Sequence, residues 1–381
     1  MTEENKYLLT ILKNSLWEDA KQANEIPDNI RRELCSQTVE GLTAIAYSDT
    51  QNLKYSQTSW FAKMIHMQSE AIEQLRCAGI LVVVIKGTAA GIYYPQPALR
   101  TYGDIDLMVK PEQYQEAIKV LRKNEWRQNG SIGDFHTEFH KNDECLELHQ
   151  CSWNPKNNKE IRYIYQFLLS GFDDIQDGVI EQAQCHFSMF PWQQNGLELI
   201  WHFRVHLYNG IGLRHAIDWM MFVNACLDDD AYQQFKSVLE QAGLLTLAKT
   251  VTRMCQLYLG LTDENITWCA DAEPSLCAGL MEFIFEQGNF GNKRPDDKAA
   301  KVLTRYRNPL EFLRGMQNKG LREWTAAQKF PILRPFAWLR VGIEGATMFI
   351  TPSGRAKLKK ALIESNQRKE LFDQLYGDRS K

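Results

Sequence analysis

Two aspartates spaced two residues apart are the clearest candidates for chemistry in this 381-residue chain. Asp104 and Asp106 lie in the segment YGDIDLMV, whose alternating polar and apolar residues predict a β-strand. Because residues i and i+2 of a strand face the same side, the two carboxylates converge, and their charges repel unless a cation lies between them. The pair therefore suggests a divalent-metal site, although surface acids at this spacing are also common.

A second element upstream points to a phosphate. The run GILVVVIKG at 79–87 is short, apolar and rich in β-branched residues, which predicts a buried strand. Lys86, Gly87 and Thr88 end this strand and lead directly into a predicted helix. Backbone N–H groups at such a helix start favour a phosphate, and the alternative is a simple turn after a strand.

A third carboxylate follows on a later strand. The segments FHTEFHK and ECLELHQ alternate in polarity and predict two paired strands. Glu147 and His149, two residues apart in the second segment, share one face. An acid beside two metal ligands can complete a two-metal clamp or take a proton from an attacking hydroxyl.

The elements that position these residues predict an α+β fold. Helical periodicity dominates before the first strand and again from about residue 156 onward, and a mixed sheet lies between them. The predicted organisation has four parts, which are an N-terminal helical segment (1–78), an α/β core (79–155), a helical domain packing on the active site (156–290) and a basic helical C-terminal region (291–381).

The order of these motifs resembles the DNA polymerase β-like nucleotidyltransferases, which are built from strand, glycine and helix, then D-x-D on the next strand, then an acid on a later strand. More closely, the chain resembles the bacterial branch of uncharacterised nucleotidyltransferases, or nucleotidyltransferase family proteins, over about residues 60–290. The resemblance implies a minimal nucleotidyltransferase sheet with flanking helices plus a larger all-helical domain.

The resemblance also implies the metal site and the reaction. Asp104, Asp106 and Glu147 would bind Mg²⁺ or Mn²⁺ in a two-metal mechanism. The enzyme would move an NMP from an NTP to a hydroxyl acceptor and release pyrophosphate. The acceptor classes known for the superfamily are small molecules, RNA and protein, and the sequence does not choose among them.

The phosphate-binding turn follows from the same resemblance. Gly87 would sit at the turn that cradles the phosphates. The wider superfamily carries Gly-Ser there, so the hydroxyl of Thr88 would replace that of the serine, and Lys86 would add positive charge. Arg100 is a further candidate for a phosphate oxygen, with a surface arginine as the alternative.

Downstream histidines and an arginine are candidates for indirect roles. His149 would support the metal ligands, and His206 and Arg214 would contact the base or the acceptor, with core packing as the alternative. His202 and His206 are spaced i, i+4 on a predicted helix, but Phe203 stands where a metalloprotease needs glutamate.

The charge distribution leaves other functions open. The net charge is −3, yet residues 292–381 carry 20 Lys and Arg against 9 Asp and Glu. This basic region suits RNA, an anionic lipid surface or the acidic body of the same chain. The alternatives to an enzyme are therefore a catalytically degenerate nucleotide-binding or scaffold protein and an RNA-binding protein.

Composition favours a cytoplasmic protein. The nine cysteines include no C-x-x-C pair, which argues against a zinc ribbon and a disulfide framework. The acidic start differs from a secretory signal, and no run approaches the roughly 18 to 20 apolar residues of a membrane helix. We therefore expect no transmembrane segment.

Overall fold

The computed structural model describes residues 1–17, 25–47, 50–130, 136–150, 158–294, 298–305 and 352–376, with single positions and short runs between 315 and 339. The chain divides into two compact units, residues 1–290 and residues 291–381. Most of the aromatic and basic stretch at 306–351 lies outside the described residues. The four-part division expected from the sequence stays a prediction.

The described strands of the first unit form a seven-stranded mixed sheet in the order β3-β4-β5-β2-β1-β7-β6. Strand β1 runs antiparallel to β2 and parallel to β7, and β2 runs parallel to β5. The edge strands are added by antiparallel pairing. The strands are β1 (Val82–Val84), β2 (Ile105–Val109), β3 (Arg127–Asn129), β4 (His136–Lys141), β5 (Glu144–Gln150), β6 (Gln176–Ile180) and β7 (Cys185–Met189).

Helices precede, interrupt and follow the sheet. The α-helices described in the first unit are α1 (Glu3–Trp17), α2 (Asp28–Ser36), α3 (Gln51–Cys77), α4 (Gly87–Gly91), α5 (Tyr114–Lys123), α6 (Lys159–Ser170), α7 (Trp192–Asn209), α8 (Leu213–Cys226), α9 (Asp229–Gln241), α10 (Leu245–Leu259) and α11 (Pro274–Gln287).

One face of the sheet is the apolar core. Ile105, Leu107 and Val109 alternate along β2 and pack in one cluster with buried residues of β5, α3 and α5. Helix α5 contributes an apolar stripe at helical spacing, which includes Ile118 and Leu121. Because this face is filled, the intervening residues of the same strands face the opposite side.

The structure confirms the α+β class and the strands predicted around the motifs. The two predicted paired strands are β4 and β5, joined at Asn142 and Asp143, both with positive φ. Asn and Asp tolerate this conformation, and two such residues are typical of a tight hairpin turn. Helix α3 ends as predicted, with Gly79 in the left-handed region at φ 73°.

The prediction of nearly continuous helix after residue 156 was wrong at β6 and β7. These strands form a hairpin whose second strand pairs with β1, so the sheet extends beyond residue 155. In β7 the buried Cys185, Phe187 and Met189 alternate with His186 and Ser188. That period of two marks a strand, but five residues are easily overlooked between long helical segments.

Helices α12 (Lys298–Arg305) and α13 (Pro352–Tyr376) belong to the second unit and pack against each other. Phe372 and Leu375 on α13 are buried, whereas Leu362 and Ile363 are exposed. Throughout the described parts of the chain, no helix has both the length and the apolar character that a membrane span requires.

Candidate active site

Carboxylates and histidines of neighbouring strands share the face of the sheet opposite the apolar core. Asp106 on β2 is in register with Glu147 on the parallel strand β5. His149, two residues beyond Glu147, lies opposite His136 on β4. Because alternate residues of a strand share a face, the D-x-D and E-x-H patterns meet on one surface.

Three carboxylates converge at the start of β2. Asp104, Asp106 and Glu147 each offer an oxygen, and these oxygens lie within 4.8 Å of one another. The charge of Asp106, then burial, then the charge of Glu147 raise the pKa of Asp104 to about 6. Repulsion of this kind is relieved by a cation, and an all-oxygen donor set is what Mg²⁺ and Mn²⁺ prefer. The cluster therefore fits the metal implied by the motif.

Lys86 and His149 already neutralise part of this charge. Lys86 Nζ and His149 Nε2 each lie 2.9 Å from Oδ1 of Asp106, and His149 Nε2 lies 3.2 Å from Oε2 of Glu147. Burial would raise the pKa of Asp106, but Lys86 and His149 hold it well below its usual range. Burial would lower the pKa of Lys86, but Asp106, Glu198 and Glu147 raise it. Lys86 therefore stays charged beside the carboxylates.

The backbone that carries Lys86 is strained. Lys86 precedes α4 with φ 51° and ψ −132°, and Gly87 follows with φ 23°. A non-glycine residue in this region costs energy, and such outliers cluster at functional sites. Gly87 lines the cavity described below, and its role in a phosphate turn stays a prediction. Thr88 does not join them, since its buried hydroxyl donates to Oε1 of Gln68 at 2.7 Å.

Arg100 is engaged by a partner distant in the sequence. Its Nε and Nη2 donate to the two carboxylate oxygens of Asp218 on α8, at 2.7 and 2.8 Å. Tyr94 donates to the same carboxylate at 2.7 Å, and the guanidinium lies 4.8 Å from the centre of the Tyr102 ring. This two-pronged ion pair holds the segment before Asp104. Arg100 also lines the cavity described below, and its contact with a phosphate stays a prediction.

Arg214 is a buried cation near the carboxylates. Its Nη1 donates to the backbone oxygen of Thr101 at 3.1 Å and lies beside Gly103. Burial and the charge of Arg100 lower its pKa, and Asp218 and Asp104 partly offset this. Arg214 and His206 both line the cavity, and their contact with a base or an acceptor stays a prediction.

These residues surround a cavity of about 550 Å³. That volume lies within the range of small-molecule sites. One wall comes from the strands and the start of α4, and another comes from α7 and α8. The cavity-lining residues used here are Lys86, Gly87, Asp104, Asp106, His136, Glu147, His149, Glu198, Trp201, His202, His206 and Arg214.

Glu198 was missed in the sequence. It lies on α7, is 5% exposed, and burial raises its pKa although Lys86 acts in the opposite direction. Glu198, His202 and His206 are spaced i, i+4 and i+8, which puts them on one helix face. Three ionisable residues at this spacing could have indicated a functional helix face. The apolar residues around them are instead typical of a helix buried in the core.

The chain belongs to the family of uncharacterised nucleotidyltransferases, whose profile matches residues 56–260, more than half of its length. The family expected from the order of the glycine turn, D-x-D and L-E-L-H is thereby confirmed. Proteins of this class transfer nucleotides, and the matched residues include strands β1, β2, β4 and β5 of the sheet described above.

Two solved structures of ANT(2″)-Ia are similar to part of the chain. One is the crystal structure in complex with adenylyl-2″-tobramycin, with 13% identity and a TM-score of 0.34, covering 47% of this chain and 97% of that one. The other is the solution structure of this antibiotic-resistance factor, with the same identity and TM-score, covering 48% and 92%. The class of the protein rests on the family match over residues 56–260. No curated protein sequence matches the chain significantly.

Proposed function

We propose that the protein transfers an NMP from an NTP to a hydroxyl acceptor and releases pyrophosphate, using Mg²⁺ or Mn²⁺. The observation that carries this proposal is the convergence of Asp104, Asp106 and Glu147 at a cavity, in a chain that belongs to a nucleotidyltransferase family. In this proposal the three carboxylates hold the metal ions. The bound metal supplies charge stabilisation to the α-phosphate and to the leaving pyrophosphate.

The protein's own residues bind and orient the substrates. Lys86, already charged and buried beside Asp106, binds the triphosphate, and the turn at Gly87 lets the backbone approach it. His149 holds Asp106 and Glu147 in one orientation through its Nε2 contacts. Arg100 fixes the loop before Asp104 through Asp218.

The acceptor hydroxyl must lose its proton during transfer. Glu147 and Glu198 both face the cavity, and the raised pKa of Glu198 brings it closer to the range of a working general base. We assign Glu198 as the general base that accepts this proton. Glu147 then serves as a metal ligand. The cavity volume favours a small molecule as acceptor, and an RNA 3′ end or a protein side chain remains open to the same chemistry.

One observation favours a second function, a nucleotide-binding protein without catalysis. Lys86 and His149 both contact Oδ1 of Asp106, so a metal ion must compete with two existing partners for that oxygen. In a degenerate member these contacts would replace the metal permanently. NTP binding would then be independent of Mg²⁺.

The test uses α-³²P-labelled NTPs with the full chain, Mg²⁺ and separate pools of small molecules, RNA and proteins. Covalent label in one pool, with equimolar pyrophosphate and loss of both in Asp106→Asn, supports the enzyme. NTP binding without transfer in any pool, with or without Mg²⁺ or Mn²⁺, supports the degenerate alternative.

The matched control for that experiment is Asp177→Asn, which changes an exposed aspartate on β6 of the same sheet. It removes one carboxylate without touching the cluster and should transfer label like the wild type. RNA binding by residues 292–381 that survives Asp106→Asn, without transfer of label to the RNA, would instead identify the RNA-binding alternative.

A further inference from the structure

Three histidines of α7 and α8 form a cluster that the proposed transfer reaction does not use. The ring centres of His202 and His206 lie 4.4 Å apart, those of His206 and His215 lie 4.3 Å apart, and those of His202 and His215 lie 5.2 Å apart. Each ring offers a nitrogen, and these nitrogens lie within 4.8 Å of one another. His202 and His206 also line the cavity.

Two nitrogens of this cluster lack hydrogen-bond partners. Within the part of the chain that the structure describes, Nδ1 of His206 and Nε2 of His215 are buried without a hydrogen-bond partner. His215 itself is only 3% exposed. Burying an unsatisfied polar atom costs free energy, so each such atom calls for an explanation, and a missing ion is one of them.

The ring of His215 is oriented by a backbone carbonyl on the side opposite its unpartnered nitrogen. Its Nδ1 lies 3.3 Å from the backbone oxygen of Gly212. A proton on Nδ1 of His215 leaves the lone pair of its Nε2 directed into the cluster. Metal-binding histidines almost always donate their other N–H to a carbonyl or a carboxylate in this way.

The rings are held in the form that binds metal. Burial is the largest cause that lowers the pKa of each of the three histidines, and for His206 the value falls to about 4. Neutral imidazole is a metal ligand, whereas imidazolium is not. At neutral pH no proton has to leave before an ion binds.

We propose that His202, His206 and His215 form a second metal site, which takes Zn²⁺ or a similar transition-metal ion and keeps one coordination position open to the cavity. Three imidazoles with an open fourth position are a known zinc donor set, whereas Mg²⁺ prefers oxygen. The nitrogens of two imidazoles on one zinc lie about 3.3 Å apart, given bonds of 2.0–2.1 Å. Binding therefore requires the rings to turn so that nitrogens now within 4.8 Å of one another approach this separation.

Nearby charges act in both directions. Lys86 and Arg214 lower the pKa of the cluster and disfavour any added cation. Glu198, one helical turn before His202, contributes a carboxyl group on the same helix face. The site is therefore expected to prefer ions that form strong bonds to nitrogen over ions bound mainly by charge.

The experiment titrates the chelator-treated full chain with Co²⁺, read by visible absorption, and then displaces Co²⁺ with Zn²⁺. Millimolar Mg²⁺ occupies the carboxylate cluster throughout. We expect one equivalent of tightly bound Co²⁺ with the intense bands of a four-coordinate ion, and its loss on Zn²⁺ addition. Absence of such binding in the wild type overturns the proposal.

The variants assign the ligands without any nucleotide or acceptor. His215→Gln should weaken binding by at least the roughly 10- to 100-fold that losing a supporting residue costs. Because His215 is almost fully buried, His202→Gln at a half-buried position provides a second variant, with melting curves to check folding. His186→Gln, at an exposed histidine, and Asp104→Asn/Asp106→Asn should bind Co²⁺ like the wild type. Unchanged binding in both histidine variants, or loss only in the aspartate variant, overturns the proposal whatever the fate of the transfer reaction.

Discussion

The two walls of the cavity satisfy their polar groups in opposite ways. The strand wall is defined here as Asp104, Asp106, Glu147 and His149 with Lys86. In it Lys86 and His149 pair with Asp106, and His149 pairs with Glu147, at 2.9–3.2 Å. The helix wall is defined here as the cavity-lining His202 and His206 with their neighbour His215. In it, Nδ1 of His206 and Nε2 of His215 remain without hydrogen-bond partners among the described residues. A metal ion that binds the strand wall must displace existing ion pairs, whereas the helix wall already offers unpartnered nitrogens to a metal ion.

The largest expected effect comes from breaking the strand wall. Asp106→Asn keeps the size of the side chain and removes the charge that binds the metal ion. Metal ions supply several kcal/mol to such transfers, so we expect the rate to fall at least about 1,000-fold. Label transfer from α-³²P-NTP measures it, with Asp177→Asn as the matched control; equal losses in both variants would contradict the role of Asp106.

The second largest effect is expected at the buried ion pair of Arg100 and Asp218, which joins the segment before Asp104 to α8. Asp218→Ala leaves Arg100 and Tyr94 buried without their acceptor. Removing one partner of a buried ion pair typically lowers the free energy of unfolding by about 3–5 kcal/mol. Urea denaturation checks this against Asp271→Ala, which breaks the exposed pair with Lys249 and should cost at most about 1 kcal/mol. Similar losses would mean that the Arg100 pair carries no special weight.

Lys86→Met separates binding of the triphosphate from binding of the metal. Losing a charged hydrogen-bond donor should weaken NTP binding roughly 10- to 100-fold, while Mg²⁺ alone should bind more tightly because Asp106 loses a competitor. Calorimetry with each ligand in turn measures both effects. Lys119→Met, at an exposed lysine of α5, serves as the control. NTP affinity equal to that of the wild type would remove Lys86 from the phosphate site.

The smallest effect is the pH dependence of the helix wall. Burial, then Lys86 and Arg214, lower the pKa of His206 to about 4, so between pH 6.5 and 4 the unfolded chain binds more protons there than the folded protein. This contribution to stability is complete above about pH 6.5 and is lost as the pH falls.

Other titrating groups also change the free energy of unfolding with pH, so the wild type is compared with His206→Gln at each pH. The raised pKa of Asp104 acts in the opposite direction, because the folded protein takes up that proton first as the pH falls. Between pH 7 and 5, urea denaturation should show wild type losing about 1–2 kcal/mol more than His206→Gln. His66→Gln, at an exposed site on α3, should follow the wild type. Parallel curves for wild type and His206→Gln would exclude a buried neutral His206.

The strand wall could be predicted from the sequence because it depends on local alternation. Asp104 with Asp106 and Glu147 with His149 are each two residues apart, and the apolar residues between them mark the core side. The order of the motifs along the chain then predicts that the strands carrying them belong to one sheet. The prediction needed no knowledge of side-chain packing.

The helix wall and the ion pair of Arg100 and Asp218 could not be predicted in this way. Arg100 and Asp218 are 118 residues apart, and no local pattern reports that they meet. The helix face of Glu198 and His202 has the same spacing as a core stripe, since both follow 3.6 residues per turn. Thr88 turned towards Gln68 because α3 covers that side of the turn, which only packing reveals.

The most direct test of the central claim is nucleotide binding by calorimetry and thermal shift, with and without Mg²⁺, on wild type and on Asp104→Asn/Asp106→Asn. The strand wall predicts NTP binding that requires Mg²⁺ in the wild type and is lost in the double variant, with a stabilisation of about 2.7 kcal/mol at 100 times Kd. NTP binding of equal strength without Mg²⁺, or in the double variant, would contradict a metal site at these carboxylates.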